Sequence, residues 1–251
     1  MDLTDRTILI TGGTSGIGRG LAEAFHRRGN QVIISGRRQA LIDEVTAAHP
    51  GMQGLQVDLN NPSSIARLVK DVQSRFPDLD VLVNNAGISR TEAWDRDMID
   101  IDTSLSIIET NLVAVLRLTS ALLPTLVGQS RATIITTTSG LGFVPRSSYP
   151  TYCASKAFLH SWLQSLRHQL RHKPVEVIEL APPYVQTHLG GPQQAMDPAA
   201  MVLGDYIGEV LTLLADPTPA DGEILVERVR GLRLAERLGT YREIYADLNP
   251  G

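Results

Sequence analysis

Tyr152 and Lys156 stand four residues apart within a helical pattern, so their side chains share one helix face. A phenol is a poor acid near neutrality, with an ordinary pKa of about 10. An ammonium held within about 4–6 Å stabilises the phenolate and lowers that value by about one to three units. A phenol tuned in this way serves as a general acid or base. Tyr-x-x-x-Lys alone is a common coincidence, and Ser139 changes the weight of the pair. It follows the β-rich run ATIITTT at 132–138, where its hydroxyl would sit at a strand's carboxyl end and bond a substrate oxygen. Asn111 is a polar residue inside an apolar helical run; it reads either as a site residue or as a core amide satisfied by backbone. Cys153, beside Tyr152, has no histidine placed in sequence to activate it, so it reads as a small buried helix residue rather than a nucleophile.

A second group of residues is suited to an anion. The run TILIT at 7–11 enters Gly12-Gly13-Thr14-Ser15-Gly16-Ile17-Gly18 and then a helical pattern. Strand, glycine turn and helix start together build a pyrophosphate site. Missing side chains let backbone N–H groups approach the phosphates, and the helix N-terminus adds partial positive charge. The spacing is Gly12, Gly16, Gly18 rather than G-x-G-x-x-G. About twenty residues on, where such a site meets the adenosine ribose, the chain reads Ser35-Gly36-Arg37-Arg38. An acid there would accept from a 2′-hydroxyl; two guanidinium groups instead suit a 2′-phosphate. The expected cofactor is NADP(H) in preference to NAD(H), with Arg37, nearer the strand end, expected to make the contact.

These residues need a scaffold that brings strand ends together. Near-continuous apolar runs at 7–11, 31–35, 54–57, 80–84, 132–138, 175–180 and 223–226 alternate with helical patterns near 17–28, 38–48, 62–75, 103–127, 149–172 and 198–215. Runs of this kind suit strands buried on both faces. Their alternation with helices predicts a doubly wound parallel β-sheet, an α/β fold. No linker or solenoid repeat divides the 251 residues, so one domain spanning 1–251 is expected. The segment 182–198, dense in Gly and Pro between a strand and a helix, is placed as a substrate lid, since ligands bind at strand carboxyl ends. The amphipathic tail, about 231–251, is expected to pack on the domain or on a partner subunit.

Composition removes several functions. Lys plus Arg number 23 against 27 Asp plus Glu, a net charge of −4, which disfavours wrapping a nucleic-acid backbone. One cysteine and no His-Glu-x-x-His pair leave no disulfide and no visible metal-ligand set. The start, Met-Asp-Leu-Thr-Asp-Arg, lacks a leader pattern, and the leucine-rich stretch 112–127 is broken by Arg117 and Pro124. No membrane association is expected, and the chain reads as soluble and cytoplasmic.

The sequence resembles the short-chain dehydrogenase/reductase family. The resemblance rests on TGGTSGIG at 11–18, VDL at 57–59, NNAG at 84–87, Asn111, Ser139, YCASK at 152–156 and APPYVQT at 181–187. The tail, with GGTSGIG, GRR and ELAPP, is similar to a bacterial branch labelled after a teichoic-acid D-alanylation gene cluster. The family resemblance implies a Rossmann-like domain and hydride transfer with nicotinamide. Tyr152 would be the proton donor or acceptor, Ser139 would polarise the carbonyl, and Lys156 would hold the ribose hydroxyls and acidify Tyr152. Asn111 would anchor a water linking Lys156 to solvent. Gly12, Thr14, Ser15, Gly16, Ile17 and Gly18 would carry the phosphates. Asp58 would contact the adenine ring, Leu59 would also touch the cofactor, and Asn85, Ala86 and Gly87 would line the adenosine side. Val185 and Thr187 would meet the carboxamide, and Pro182 would also contact the cofactor. The family usually has Pro-Gly where this chain has Pro182-Pro183, which stiffens the entry to the lid. Leu141, Phe143, Pro183, Tyr184 and Leu189 flank the expected substrate pocket and point to an apolar or aromatic carbonyl compound. The helices near 103–127 and 149–172 resemble those that pair subunits, implying a homodimer or homotetramer.

Together these residues lead one to expect an NADPH-dependent carbonyl reductase, or an alcohol dehydrogenase run in reverse. A non-catalytic NADP(H) sensor would have no use for Ser139, Tyr152 and Lys156 together. An isomerase or dehydratase on the same fold would differ in showing no net cofactor turnover.

Overall fold

A computed structural model describes residues 1–250 except Asp97, Thr218 and Ala220. Strands β1 (Thr7–Thr11), β2 (Gln31–Gly36), β3 (Gln53–Gln56), β4 (Val81–Asn84), β5 (Ala132–Thr137), β6 (Val175–Leu180) and β7 (Glu223–Ile224) form one parallel sheet in the order β3-β2-β1-β4-β5-β6-β7. Alternation along a strand feeds two cores, because successive side chains point to opposite faces. Ile8 and Ile10 of β1 join a core with Leu21 and Phe25 of α1 (Gly16–His26) and Tyr206 and Val210 of α8 (Leu203–Ala215). Leu9 faces the other way, into a core with Leu68 of α3 (Pro62–Arg75), Leu118 and Leu122 of α5 (Ala114–Val127) and Leu163 of α6 (Pro150–Leu170). The remaining long elements are α2 (Gln39–Ala48) and α4 (Ile101–Ile108).

Strand order reverses between β1 and β4, the neighbours at the centre. Their connections leave toward opposite sides, and a crevice opens at their carboxyl ends. Local chemistry fixes the elements around it. Asn61 caps α3 by accepting from the amides of Ser63 and Ser64, and Pro62 occupies the first turn, where its missing N–H costs nothing.

The structure refines several boundaries. The pattern at 103–127 is α4 and α5 joined by a π-helical turn, Glu109–Val113, which carries Asn111; single π turns often mark functional positions. Read as one helix, Ile101–Val127 spans 27 residues and contains an 18-residue stretch of mean hydropathy 1.5. By length and composition it could cross a membrane, so the breaks at Arg117 and Pro124 do not shorten it as expected. Leu118, Leu122 and Leu126 are instead buried in the core. The helix expected from 198 begins at Leu203 because Met201 pairs with Val185 in an extended bridge. The segment 182–198 contains a short helix, α7 (Pro192–Met196), and the tail folds as α9 (Glu227–Arg233), α10 (Ala235–Leu238) and α11 (Tyr241–Leu248).

Candidate active site

The crevice is a cavity of about 660 Å³. The glycine turn forms one wall. Gly12 (φ +67°) and Gly16 (φ +53°) hold a left-handed backbone, which glycine adopts without steric cost. At Gly18 a Cβ would fall 2.3 Å from the Gly12 carbonyl oxygen and 2.4 Å from Asn85 Nδ2, so only glycine lets α1 start this close to the turn. Ser15 caps α1 without a side-chain bond, and Ser15, Gly16 and Ile17 line the cavity. A helix N-terminus thus opens onto it, as an anionic pyrophosphate requires. Thr11 Oγ1 accepts from the amides of Asn85 and Ala86, at 3.0 and 3.1 Å, which ties β1 to the NNAG segment on the opposite wall.

Ser139, Tyr152 and Lys156 meet deeper in the same cavity. Ser139 caps a single 3₁₀ turn, Gly140–Gly142, and its Oγ accepts from Leu141 N at 3.1 Å. Lys156 is buried, and its Nζ donates to the Thr137 carbonyl at 2.7 Å. Gly87 leaves room for this group, because a Cβ there would meet Asn111 Oδ1 at 3.3 Å and Lys156 Nζ at 3.7 Å. The Asn111 side chain holds the neighbouring backbone: Oδ1 accepts from Ile88 N at 2.9 Å, and Nδ2 donates to Ile88 O at 3.0 Å and Ser155 Oγ at 3.1 Å. That amide is fully used as a clamp and does not line the cavity.

Electrostatics differ from the sequence expectation. Burial pushes the Tyr152 phenol up to about 12, opposed by its hydrogen bond with Ser139. The expected lowering by Lys156 is absent in this state. Its Nζ lies 5.7 Å from the Tyr152 ring centroid and bonds backbone instead. Burial also brings Lys156 down to about 8, with the negative charge of Glu179 opposing the shift. For both groups desolvation outweighs what opposes it, the Ser139 hydrogen bond for Tyr152 and the Glu179 charge for Lys156.

Two further expectations are corrected. Arg38 lines the cavity and Arg37 does not. Backbone at Arg38 is extended, with φ −95° and ψ 108°, so consecutive side chains point apart; Arg37 is exposed, and its carbonyl accepts from Gln56 Nε2. Phe143 leaves the substrate side altogether. It packs edge-on against His160, with centroids 5.0 Å apart, and beneath the Arg233 guanidinium. Leu141, Pro182, Pro183, Tyr184, Val185, Thr187 and Leu189 do line the cavity. Thr14 packs toward Gly36 at the end of β2, Asp58 accepts from Asn60 N in the turn before α3, and Leu59 packs on the core. None of these three is on the wall.

Sequence reasoning missed a buried polar network behind Lys156. The Glu179 carboxylate, fully buried, accepts from Thr138 Oγ1 at 2.7 Å and contacts His160 Nδ1 at 2.8 Å. Glu223 beside it is held by two bonds from Arg233. The donor atoms of His160, Glu179 and Glu223 lie within 4.8 Å of one another, but hydrogen bonds already engage both carboxylates. The available clues were an acid inside the apolar run VEVIEL and a histidine one turn beyond Lys156.

A glycine cradle at the reversal of strand order, facing a buried Ser-Tyr-Lys group, defines an NAD(P)-dependent oxidoreductase. The comparisons agree. The family model described as short chain dehydrogenase matches residues 6–198, and the chain belongs to that family. It is 39% identical over 251 residues to an uncharacterized oxidoreductase, DltE, of Bacillus subtilis (strain 168), covering 99% of this chain and 98% of that one. A short chain dehydrogenase from Burkholderia cenocepacia J2315, solved with NADP, superposes with a TM-score of 0.81 at 24% identity, over 98% of both chains. One from Burkholderia phymatum, solved with NAD, also gives 0.81, at 22% identity over 100% of this chain and 98% of that one.

Proposed function

We propose that the protein is an NADPH-dependent carbonyl reductase, equally an alcohol dehydrogenase in the reverse direction. The observation that carries this is the convergence of Ser139, Tyr152 and Lys156 with the glycine turn on one cavity. When bound, the nicotinamide cofactor supplies the hydride. Ser139 Oγ and the Tyr152 hydroxyl hold the carbonyl oxygen, and Tyr152 gives it a proton. A phenol pushed up to about 12 keeps that proton through the neutral range, which suits the reductive direction. Lys156 holds the ribose hydroxyls and supplies positive charge near the phenol, while Asn111 keeps the Gly87–Ile88 backbone in place. The direct test is NADPH oxidation, followed by absorbance, with a panel of ketones, aldehydes and quinones. Absence of turnover with every member would remove the reading.

The preference for NADP(H) rests on Arg38 and on the absence of an acid at the end of β2. A charge-assisted bond contributes about 1.5–3 kcal/mol, or roughly 10- to 150-fold in affinity. Arg38→Ala should raise the Kd for NADPH by that factor and leave NADH unchanged. Equal weakening of both, or the same effect from Arg37→Ala, would refute the assignment.

Lys156 gives a pH prediction. With its pKa down at about 8, it is charged below that pH and neutral above it. The reductive kcat/KM, which reports the free enzyme, should decline as pH rises through about 8. Lys156→Met should lower activity at neutral pH and abolish this limb. A wild-type profile flat to pH 10 would contradict the role.

The same reading places the protein in the cytoplasm as a homo-oligomer. Ile101, Leu105 and Ile108 form an exposed apolar stripe on α4, at the spacing of one helix face. Light scattering would measure the assembly.

A further inference from the structure

Four cationic side chains, Arg38, Arg90, Arg146 and Lys156, line the cavity against the carboxylate of Asp197, in a chain whose net charge is −4. Among the described residues none of the four forms an ion pair. Asp197 is already engaged, accepting from the Tyr184 hydroxyl at 3.1 Å and Ala199 N at 2.8 Å. The proposed reaction uses Arg38 and Lys156. It leaves Arg146 without a role.

Arg146 is nevertheless mounted with unusual care for an exposed residue. Asn249, just past α11, donates from Nδ2 to the Pro145 carbonyl at 3.1 Å and accepts on Oδ1 from Ser147 N at 2.5 Å. One amide from the tail therefore brackets Arg146 on both sides. The Arg146 carbonyl accepts from Tyr149 N at 3.0 Å and from Cys153 Sγ at 3.7 Å. Its guanidinium lies 5.9 Å from the centroid of the Tyr149 ring, on the cavity wall, six residues before Tyr152. Arg90 comes from the adjoining segment, which is stitched to the same loop by Glu92 N donating to Ser148 O at 3.0 Å. A fixed loop lowers the ordering cost of binding, and a guanidinium presents a planar fork matched to carboxylate or phosphate oxygens.

We infer that Arg146, held in place by Asn249 of the C-terminal tail and assisted by Arg90, anchors an anionic group on the carbonyl substrate. The substrate class is a ketone or aldehyde bearing a carboxylate or a phosphate. This rests on the carbonyl-reductase reading and replaces the wholly apolar substrate suggested by Leu141, Tyr184 and Leu189. Those residues pack the carbon skeleton, while Arg146 fixes the charged end and so orients the carbonyl at Tyr152.

The test uses three probes of one skeleton: para-acetylbenzoate, its methyl ester and para-acetylphenyl phosphate, each with NADPH. Wild-type kcat/KM should be at least about tenfold higher for one of the anions than for the ester. The better anion tells carboxylate from phosphate. Arg146→Gln should remove that advantage and leave the ester unchanged. Asn249→Ala should raise KM for the anion, with kcat and the ester unaffected. Equal wild-type rates on all three probes, or equal losses on all three in Arg146→Gln, would overturn the inference. If no probe is reduced, the reductase reading fails for this class and calorimetry decides the anchor. Binding of para-acetylbenzoate to the NADP⁺-saturated protein that is lost in Arg146→Gln sustains it; equal or absent binding in both proteins overturns it.

Discussion

Replacing Tyr152 with phenylalanine is expected to lower kcat by about 10²–10⁴-fold, the usual range for losing a general acid, with NADPH affinity unchanged. The ring is buried beside Ile107 and Cys153, and phenylalanine preserves that packing, so the loss reads on chemistry rather than on folding. The deleted hydroxyl holds the proton because burial pushes it up to about 12. Its hydrogen-bond partner Ser139 keeps a second bond from Leu141 N, so the turn it caps should persist. Single-turnover measurements with saturating NADPH isolate the step. A variant that retains near-wild-type turnover on a good substrate would remove Tyr152 from the mechanism.

The second large effect is on stability. Glu179→Ala should cost about 1.5–3 kcal/mol, the range for hydrogen bonds to a charged group. The carboxylate is fully buried, and its loss leaves His160 Nδ1 without its partner and Thr138 Oγ1 with only the longer bond to the Leu180 carbonyl at 3.3 Å. Urea unfolding measures the loss. The double change Glu179→Leu with His160→Leu should recover much of it, because replacing both partners with well-packed apolar groups leaves neither unsatisfied. A loss below about 1 kcal/mol in the single variant would show that the pair contributes little. Glu179 also supports the charge on Lys156. In a milder variant, Glu179→Gln, Lys156 should release its proton more easily, so the alkaline limb should move to lower pH.

What lay within one element or one turn was legible in the sequence. The βα alternation gave the parallel sheet, because strands buried on both faces must be apolar throughout. The glycine turn was legible because its left-handed backbone demands glycine. Tyr152 and Lys156 were legible because a helix repeats its face every four residues. Each of these is a constraint between neighbours along the chain.

Other features depended on distance in space. Arg38 rather than Arg37 faces the cavity because the backbone leaving β2 is extended. Phe143 turns toward His160 because the 3₁₀ turn at Gly140–Gly142 redirects the chain against α6. The Tyr152 phenol is raised rather than lowered because burial is a property of the assembled core, and spacing to Lys156 says nothing of desolvation. Asn249 reaches Ser147 across 102 residues of sequence, and Glu179 meets His160 only when β6 packs under α6. The sequence by itself determined the fold, the glycine cradle and the shared face of Tyr152 and Lys156, since local periodicity and backbone sterics encode them. The tertiary structure alone decided which arginines face the cavity, which charges are buried and what the tail holds, since those follow from long-range packing and solvent exclusion.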